Sequence, residues 1–184
     1  MTTVRRPTWL RRLTSRDGTP RLEPRDTGTP GDTAWPLDMT RIEEYLVSKE
    51  FRFVRDADGD VTGNWDDNRF WFMLLGGRQE IVQVRGRWDK PIPLADRSLA
   101  LHVVNDWNRE RIWPKAYLRT EEDSLALYCE VSADFSAGAT DAQLAQVLAC
   151  GLGTGVQFFA TVDRQLSEGL PPGPPGPPEP GGLD

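Results

Sequence analysis

The residues best suited to chemistry lie in the segment DADGDVTGNWDD, residues 56–67. Its alternating acids Asp56, Asp58 and Asp60 suggest a calcium loop, since Ca²⁺ takes carboxylate oxygens at alternating loop positions. The segment departs from an EF-hand, however, because its glycine is fourth instead of sixth, its twelfth residue is Asp instead of Glu, and strands flank it. An Asp-Gly hairpin turn explains the pattern better, so we expect no metal here.

Nucleophilic catalysis has equally few candidates. His102 is the only histidine, and the sequence places no Ser or Cys as its obvious partner. Cys129 falls on the apolar side of an alternating strand, which is typical of a core thiol, whereas Cys150 lies in a predicted helix and is the more exposed candidate. One His and two Cys without CxxC spacing are too few for a zinc site or a disulfide framework. We therefore expect a protein that is not an enzyme and needs no cofactor.

The glycine-rich stretch GLGTG, residues 151–155, resembles a phosphate loop only superficially. No strand precedes it, and its spacing is not GxGxxG. Glycines cost about 1 kcal/mol each inside a helix, so the helix either packs very closely on a sheet here or breaks. Close packing is favoured, but the sequence leaves open whether the helix is continuous through Gly151, Gly153 and Gly155.

The pattern of helices and strands predicts an α+β fold. Thr40 and Glu43 have the spacing of a capping box at the start of a first helix. The connections are too short for parallel crossovers, so the strands should form an antiparallel meander, with the helices on one face and the order α-β-β-β-β-α-β-β-α. The predicted helices are 40–49, 94–110 and 140–168, and the predicted strands are FRFVRD, VTGNW, NRFWFMLLG, EIVQVRGRW, 113–120 and 125–131.

Both ends of the chain differ from the middle in composition. Residues 1–34 are poor in apolar side chains after Leu13 and carry a net charge of +3, and residues 169–184, with PPGPPGPPEPGG, carry −2. Since the whole chain carries −6, the middle carries −7, which argues against nucleic-acid binding. We predict a disordered arm over 1–34, one domain over 35–168 and an extended, disordered tail over 169–184. Without a membrane span or secretory signal, a cytoplasmic location is expected.

The stretch VNDWNRERIWPKAYL, residues 104–118, joins a helical pattern to an alternating one. Trp107 shares a helical face with Val103 and is expected in the core. Asn105 and Asn108 are neighbours on the helix surface, positioned to hydrogen-bond the joint, and Pro114 restricts the entry to the next strand. These residues are therefore predicted to form a structural corner.

The aromatic residues of the strands predict a binding face. The run FWFMLL is apolar on both sides, as in a strand covered on both faces, and three helices can cover only one face. An aromatic face without a helix implies a partner, most simply a second copy of the chain. The alternatives left open are that the third helix or the N-terminal arm covers it. The residues predicted to form this dimer or partner face are Phe70, Trp71, Trp113, Tyr117 and Tyr128.

A family resemblance follows from the same segments. VNDWNRERIWPKAYL, preceded by a DGD turn and a meander and followed by LALYCEV and a helix ending near VQFFATVD, resembles the bacterial YbjN family over roughly residues 36–166. This resemblance implies a sensory transduction regulator with a fold similar to the small, homodimeric type III secretion chaperones. It implies a non-enzymatic, cytoplasmic protein that binds another protein.

The function expected from the sequence is a partner-binding module, regulatory or chaperone-like, that acts as a homodimer and binds an unidentified protein. An alternative is an adaptor whose Arg-rich arm, with Trp9 and Leu10 among its arginines, docks on an anionic membrane or partner surface. A cleft that gathered His102, Asn105 and Asn108 with nearby acids would instead indicate an enzyme of unrecognised type.

Overall fold

The structure, a computed structural model, describes residues 33–168. The predicted tail, and all but two residues of the predicted arm, lie outside this range. The predicted order of helices and strands is confirmed with one addition, the short strand β5. The elements are α1 (Met39–Ser48), β1 (Val54–Arg55), β2 (Val61–Trp65), β3 (Asn68–Leu75), β4 (Ile81–Arg87), β5 (Ile92–Pro93), α2 (Arg97–Glu110), β6 (Lys115–Glu121), β7 (Ser124–Asp134) and α3 (Asp141–Glu168).

The strands form one antiparallel sheet of seven strands, in the order β1-β2-β3-β4-β7 with β6 on the far side of β7. β5 pairs with the first residues of β7 and so continues the line of β4 along it. The sequence did not indicate β5 because Ile92 stands between two prolines, which interrupt a strand pattern. The predicted first strand, FRFVRD, is shorter than expected, since only Val54 and Arg55 pair with β2.

Helix α1 begins one residue before its predicted start, and the predicted capping box is wrong. The N-cap is Asp38, whose Oδ1 accepts hydrogen bonds from the backbone N–H groups of Thr40 and Arg41. A carboxylate at the N-cap accepts hydrogen bonds from backbone N–H groups that have no partner within the helix, and its negative charge interacts favourably with the positive end of the helix dipole. The helix then buries Ile42 and Leu46 completely against the core.

Helix α3 is the central helix of the core. Its predicted capping box is confirmed, because Thr140 Oγ1 accepts from Gln143 N and Gln143 Oε1 accepts from Thr140 N. By length and composition α3 could cross a membrane, but it packs against the sheet and the other helices. The side chains that it buries are Leu144, Leu148, Leu152, Val156, Phe158, Phe159 and Val162.

The glycines of α3 do allow the close packing that was favoured, and the helix is continuous through them. A Cβ added to Gly151 would lie 2.6 Å from the Cβ of Val84 on β4, and one added to Gly155 would lie 2.7 Å from the Phe70 ring. Both distances are too short for real side chains, so only glycine lets the helix axis approach the strands this closely. The middle of the sheet therefore packs directly against α3.

Side-chain hydrogen bonds join α2 to β6 where the sequence predicts a corner. Trp107 is buried, and its Nε1 donates to the carbonyl oxygen of Pro114. Asn108 donates to the carbonyl oxygen of Ala116 and accepts from its N–H, both at 2.9 Å. The expectation for Asn105 is wrong, since it is exposed and makes no such bond to the described residues. Because these contacts occupy outward backbone groups of an edge strand, α2 covers the first half of the β6 edge.

Candidate interaction site

The sheet has two unlike faces. One packs against α1, α2 and α3 and supplies the core. Strand alternation places a second set of side chains on the opposite side, which we call the open face because no helix of residues 33–168 packs on it. The open face includes Arg69, Trp71, Met73, Gln83, Arg85, Arg87, Lys115, Tyr117, Arg119, Glu121, Tyr128, Glu130 and Ser132.

Four of the five aromatic residues predicted for the binding face lie away from the core centre, and one does not. Phe70 is fully buried on the helix side, against the rings of Trp65 and Phe159. Assigning it to the binding face was wrong, because neighbouring residues of a strand point to opposite faces. Trp71, Tyr117 and Tyr128 do share the open face. Trp113 lies outside the strand, 51% exposed, beside the 89% exposed Ile112.

A stacked pair of tyrosines forms the centre of one end of the open face. Tyr117 on β6 and Tyr128 on β7 are directly opposite in the strand register. Their ring centroids are 5.6 Å apart and their planes differ by 11°. Tyr128 is nearly buried, whereas Tyr117 is half-buried and presents a rigid aromatic surface. Such rings bury a large apolar area at small entropic cost, which suits a binding surface.

Glu121 connects this pair to β4. Its Oε1 accepts from the Tyr128 hydroxyl at 2.5 Å, and its Oε2 accepts from Arg87 Nη2 at 2.8 Å. The bonds from Arg87 and Tyr128 hold the pKa of the Glu121 carboxyl below its usual range. Burial and the bond to Glu121 raise the pKa of Tyr128. Glu121 is therefore a fixed anion that anchors an arginine and a tyrosine.

Glu130 makes equivalent contacts in the neighbouring row of the sheet. Its Oε2 accepts from the Tyr117 hydroxyl at 2.9 Å and lies 3.4 Å from Arg85 Nε, and its Oε1 accepts from Lys115 Nζ at 3.2 Å. Burial, together with the bond to Glu130, raises the pKa of Tyr117 to about 12. At neutral pH the hydroxyl therefore keeps its proton and donates a hydrogen bond to Glu130.

Two cations of the open face have no carboxylate partner among the described residues. The Arg69 guanidinium lies 5.8 Å from the centre of the Trp71 ring, and that of Arg119 lies 5.6 Å from the Tyr128 ring. Both arginines are exposed, so they remain free to bind an anion at the surface. Exposed arginines held over aromatic rings favour contacts with acidic and apolar groups together.

The sequence reasoning found the aromatic residues of this surface but missed its charged ones. Arg85 and Arg87 alternate along VQVRGR, and Glu121 and Glu130 occupy the polar positions of β6 and β7. This alternation was the available signal. Which acid meets which arginine depends on pairing between strands far apart in sequence, and that pairing was not predictable from the spacing alone.

The acidic segment between β1 and β2 is a turn. Asp56 Oδ1 accepts from the N–H groups of Asp58 and Asp60, and Gly59 has the positive φ of 89° that the turn requires. Repulsion from the neighbouring acids contributes, after burial, to a raised pKa of Asp60. Within residues 33–168 no group of three His, Cys, Asp or Glu side chains is arranged to hold a metal ion.

The other reactive side chains are separated from one another. His102 is exposed on α2 and faces Asp106, with 3.1 Å between Nε2 and Oδ2. Cys129, in β7, is buried on the helix side of the sheet, and burial raises the pKa of its thiol. Cys150 is half-buried on α3, where burial also raises its pKa. A thiol with a raised pKa is a poor nucleophile, and His102 does not contact either one.

Two hollows occur elsewhere in the described residues. One, of about 320 Å³, lies between the segment before α1 and the β7–α3 loop, beside Leu37, Arg78 and Phe135. The other, of about 250 Å³, lies between α1 and α3, beside Tyr45 and Leu144. Both are open to solvent and neither brings a nucleophile next to a base. The open face, in contrast, combines aromatic rings with charged side chains that can bind a partner.

Comparison with one solved structure supports the fold. The crystal structure of YbjN from E. coli, described as "a putative transcription regulator", matches with a TM-score of 0.61 and 10% identity, over 73% of this chain and 96% of that one. The HopA1–SchA chaperone–effector complex matches with a TM-score of 0.41 and 16% identity, over 68% of this chain and 99% of that one. No curated protein sequence matches this chain.

The amino-acid sequence also matches the model of a protein family. Residues 38–164 match the model of YbjN, described as "Putative bacterial sensory transduction regulator". The match begins at the N-cap of α1 and ends near the end of α3, so it contains every strand and both sides of the sheet. The chain belongs to the YbjN family.

Proposed function

We propose that this protein is a non-enzymatic, cytoplasmic regulatory module that acts as a homodimer and binds a protein partner, and that the open face is its binding surface. The observation that carries the proposal is the distribution of side chains on the sheet. Three helices pack on one face, and the other displays rigid tyrosines, a half-buried Trp71 and several arginines. Tyr, Trp and Arg are the residues enriched at the energetic centres of protein interfaces.

Side chains of the open face are already held in place before a partner binds, which supports this proposal. Arg87 is hydrogen-bonded to Glu121, and Arg85 is hydrogen-bonded to Gln83 and ion-paired with Glu130, so both lose little conformational entropy when a partner binds. A stable interface buries about 800 Å² on each partner, which is within the reach of a face spanning four strands. The family's description as regulators agrees with binding and names no reaction.

The test is the solution mass of the full chain, measured by light scattering over a concentration series. Trp71→Ala with Tyr117→Ala removes apolar area from the open face, and Ile112→Ala with Trp113→Ala, at the exposed tip after α2, is the matched control. The proposal predicts a wild-type dimer that the first pair dissociates and the second leaves intact. A wild-type monomer would contradict the homodimer, and dissociation by the tip pair alone would move the interface away from the open face. Circular dichroism must show that each variant is folded.

A further inference from the structure

We infer that the acidic, proline-rich tail of this chain, residues 169–184, docks on its own open face and competes there with other partners. The inference rests on the proposed function, since it names a ligand for the same surface. The tail contains Glu179 and Asp184 and no Lys or Arg, and most of its remaining residues are Pro and Gly. The open face offers the complementary chemistry, namely exposed arginines beside aromatic rings.

Charge selects the tail over the other end of the chain. Arg69 and Arg119 are exposed and lack a carboxylate partner within the described residues. The acids of the tail can pair with them, whereas residues 1–34 carry a net +3 and would be repelled. The body as a whole carries −7, so an acidic tail is directed toward the one sheet face that concentrates cations.

Proline supplies the apolar part of the contact. Proline-rich segments adopt an extended helix before they bind, and such segments dock on surfaces lined by aromatic side chains. Trp71 and Tyr117 are half-buried, and each carries a cation over its ring, from Arg69 and Lys115 respectively. A PPGPPGPPEP segment therefore finds a ring for its prolines next to a cation for its glutamate.

The position of the last described residues makes the contact reachable. Near the end of α3, Asp163 pairs with Lys90, and the neighbouring Asp89 N–H donates to the side chain of Asn68. Asn68 precedes Arg69, so the last turns of α3 lie toward the end of the sheet that carries Arg69. Glu179 lies eleven residues beyond Glu168, and at about 3.1 Å per residue this length spans roughly 34 Å. Stacked sheets are separated by roughly 10 Å, and a reach several times that spacing lets the tail pass the sheet edge.

The experiment places a spin label on Gly181→Cys in the full chain, with Cys150→Ser to remove the half-buried thiol, and records NMR line broadening. Signals of Tyr117 and Arg119 should lose at least half their intensity, whereas Val47, exposed on α1, should keep its own. Reversing the charges with Glu179→Arg and Asp184→Arg should remove the broadening. Adding Arg69→Glu and Arg119→Glu to those changes should restore it.

Equal broadening at Val47 and Tyr117, or none at either, would overturn the inference. So would broadening that appears only between labelled and unlabelled chains in a mixture, because the contact would then be intermolecular. Competition adds a second readout. If the tail occupies the open face, the charge-reversed tail should tighten self-association of the full chain by about twofold to thirtyfold, the range expected for two exposed ion pairs.

The two proposals can fail separately. A dimer dissociated by the Trp71 and Tyr117 substitutions, without tail contact at the open face, would overturn only the docking of the tail. Tail contact in a chain that stays monomeric at every concentration would overturn only the homodimer.

Discussion

Phe70 and Trp71 are adjacent in β3, yet they belong to surfaces built on different principles. On the helix side, Phe70 is enclosed by rings and by the close approach of α3 at Gly155. On the open face, Trp71 is half-buried and lies beneath an arginine. The first face is held by packing, which tolerates no change of volume, and the second by hydrogen bonds and ion pairs between side chains. The difference separates what stabilises the fold from what is available for binding.

The sharpest way to break this comparison is a pair of substitutions at these neighbours. Phe70→Ala should lower the free energy of unfolding by about 3–5 kcal/mol, because it leaves a cavity in a closed core. Trp71→Ala should cost less than half of that and should mainly weaken self-association. Urea unfolding of both variants measures the first effect, and light scattering the second. Equal losses of stability would show that the open face is a second core.

The next largest effect concerns the contact between α3 and β4. Gly→Ala inside a helix ordinarily stabilises by about 1 kcal/mol, but Gly151→Ala places a methyl group against Val84, a β-branched residue fixed in a strand. Overpacking of this kind costs about 1–3 kcal/mol, so the variant should be less stable than the wild type. Urea unfolding checks the sign. Gly77→Ala, where a Cβ meets nothing within 4 Å, is the control and should change stability by less than about 0.5 kcal/mol.

A smaller effect is expected at the corner where α2 meets the sheet edge. Asn108→Ala leaves the N–H and carbonyl groups of Ala116, a residue 3% exposed, without their partner, which should cost about 1–2 kcal/mol. It should also uncover the edge of β6 and increase aggregation at high protein concentration. Asn105→Ala, three residues away and exposed, is the matched control. If thermal unfolding shows both variants to be equally stable, Asn108 does not secure the edge.

The sequence determined the order of elements because local signals sufficed for it. The apolar run in NRFWFMLLG with its flanking turn residues, the capping box at Thr140 and the helical spacing around Trp107 each act over a few residues. The errors came where local signals compete or are missing. Asp38 replaced Thr40 as the N-cap because both residue types cap helices, and the prolines on either side of Ile92 masked the pairing of β5 with β7.

The binding face was only half predictable for a different reason. Aromatic residues can be recognised in the sequence by their type, but the side of the sheet on which each one lies depends on the strand register. An error of one residue in that register placed Phe70 on the wrong face. The ion pairs that organise the open face join β4 to β6 and β7, across 34 residues between Arg87 and Glu121. No spacing in a single sequence encodes such a pair, so Arg87 and Glu121 became visible only in the folded chain.

The smallest effect tests the electrostatic character of the open face through pH. The pKa of Glu121 is lowered in the folded chain from its ordinary value of 4.5, so its contribution to stability is present above that value. It is lost as the pH falls through the lowered folded pKa, because the protonated carboxyl no longer pairs with Arg87. The side chain is about one-third exposed, so solvent screening limits the contribution to about 0.2–1 kcal/mol.

Glu121→Gln should therefore be less stable than the wild type near neutral pH, and the difference should shrink once the pH lies well below 4.5. Urea unfolding of the two proteins at several pH values measures it, with Glu122→Gln, at an exposed neighbour, as the control for removing one negative charge. High salt should reduce the effect at neutral pH, since an exposed ion pair is screened. If the difference in stability is the same at every pH, the charge on Glu121 does not contribute to it. The hydrogen bond from the Tyr128 hydroxyl, which Gln can still accept, would then be independent of that charge. The anchoring of Arg87 would then rest on packing, and the two faces of the sheet would differ less than their side chains indicate.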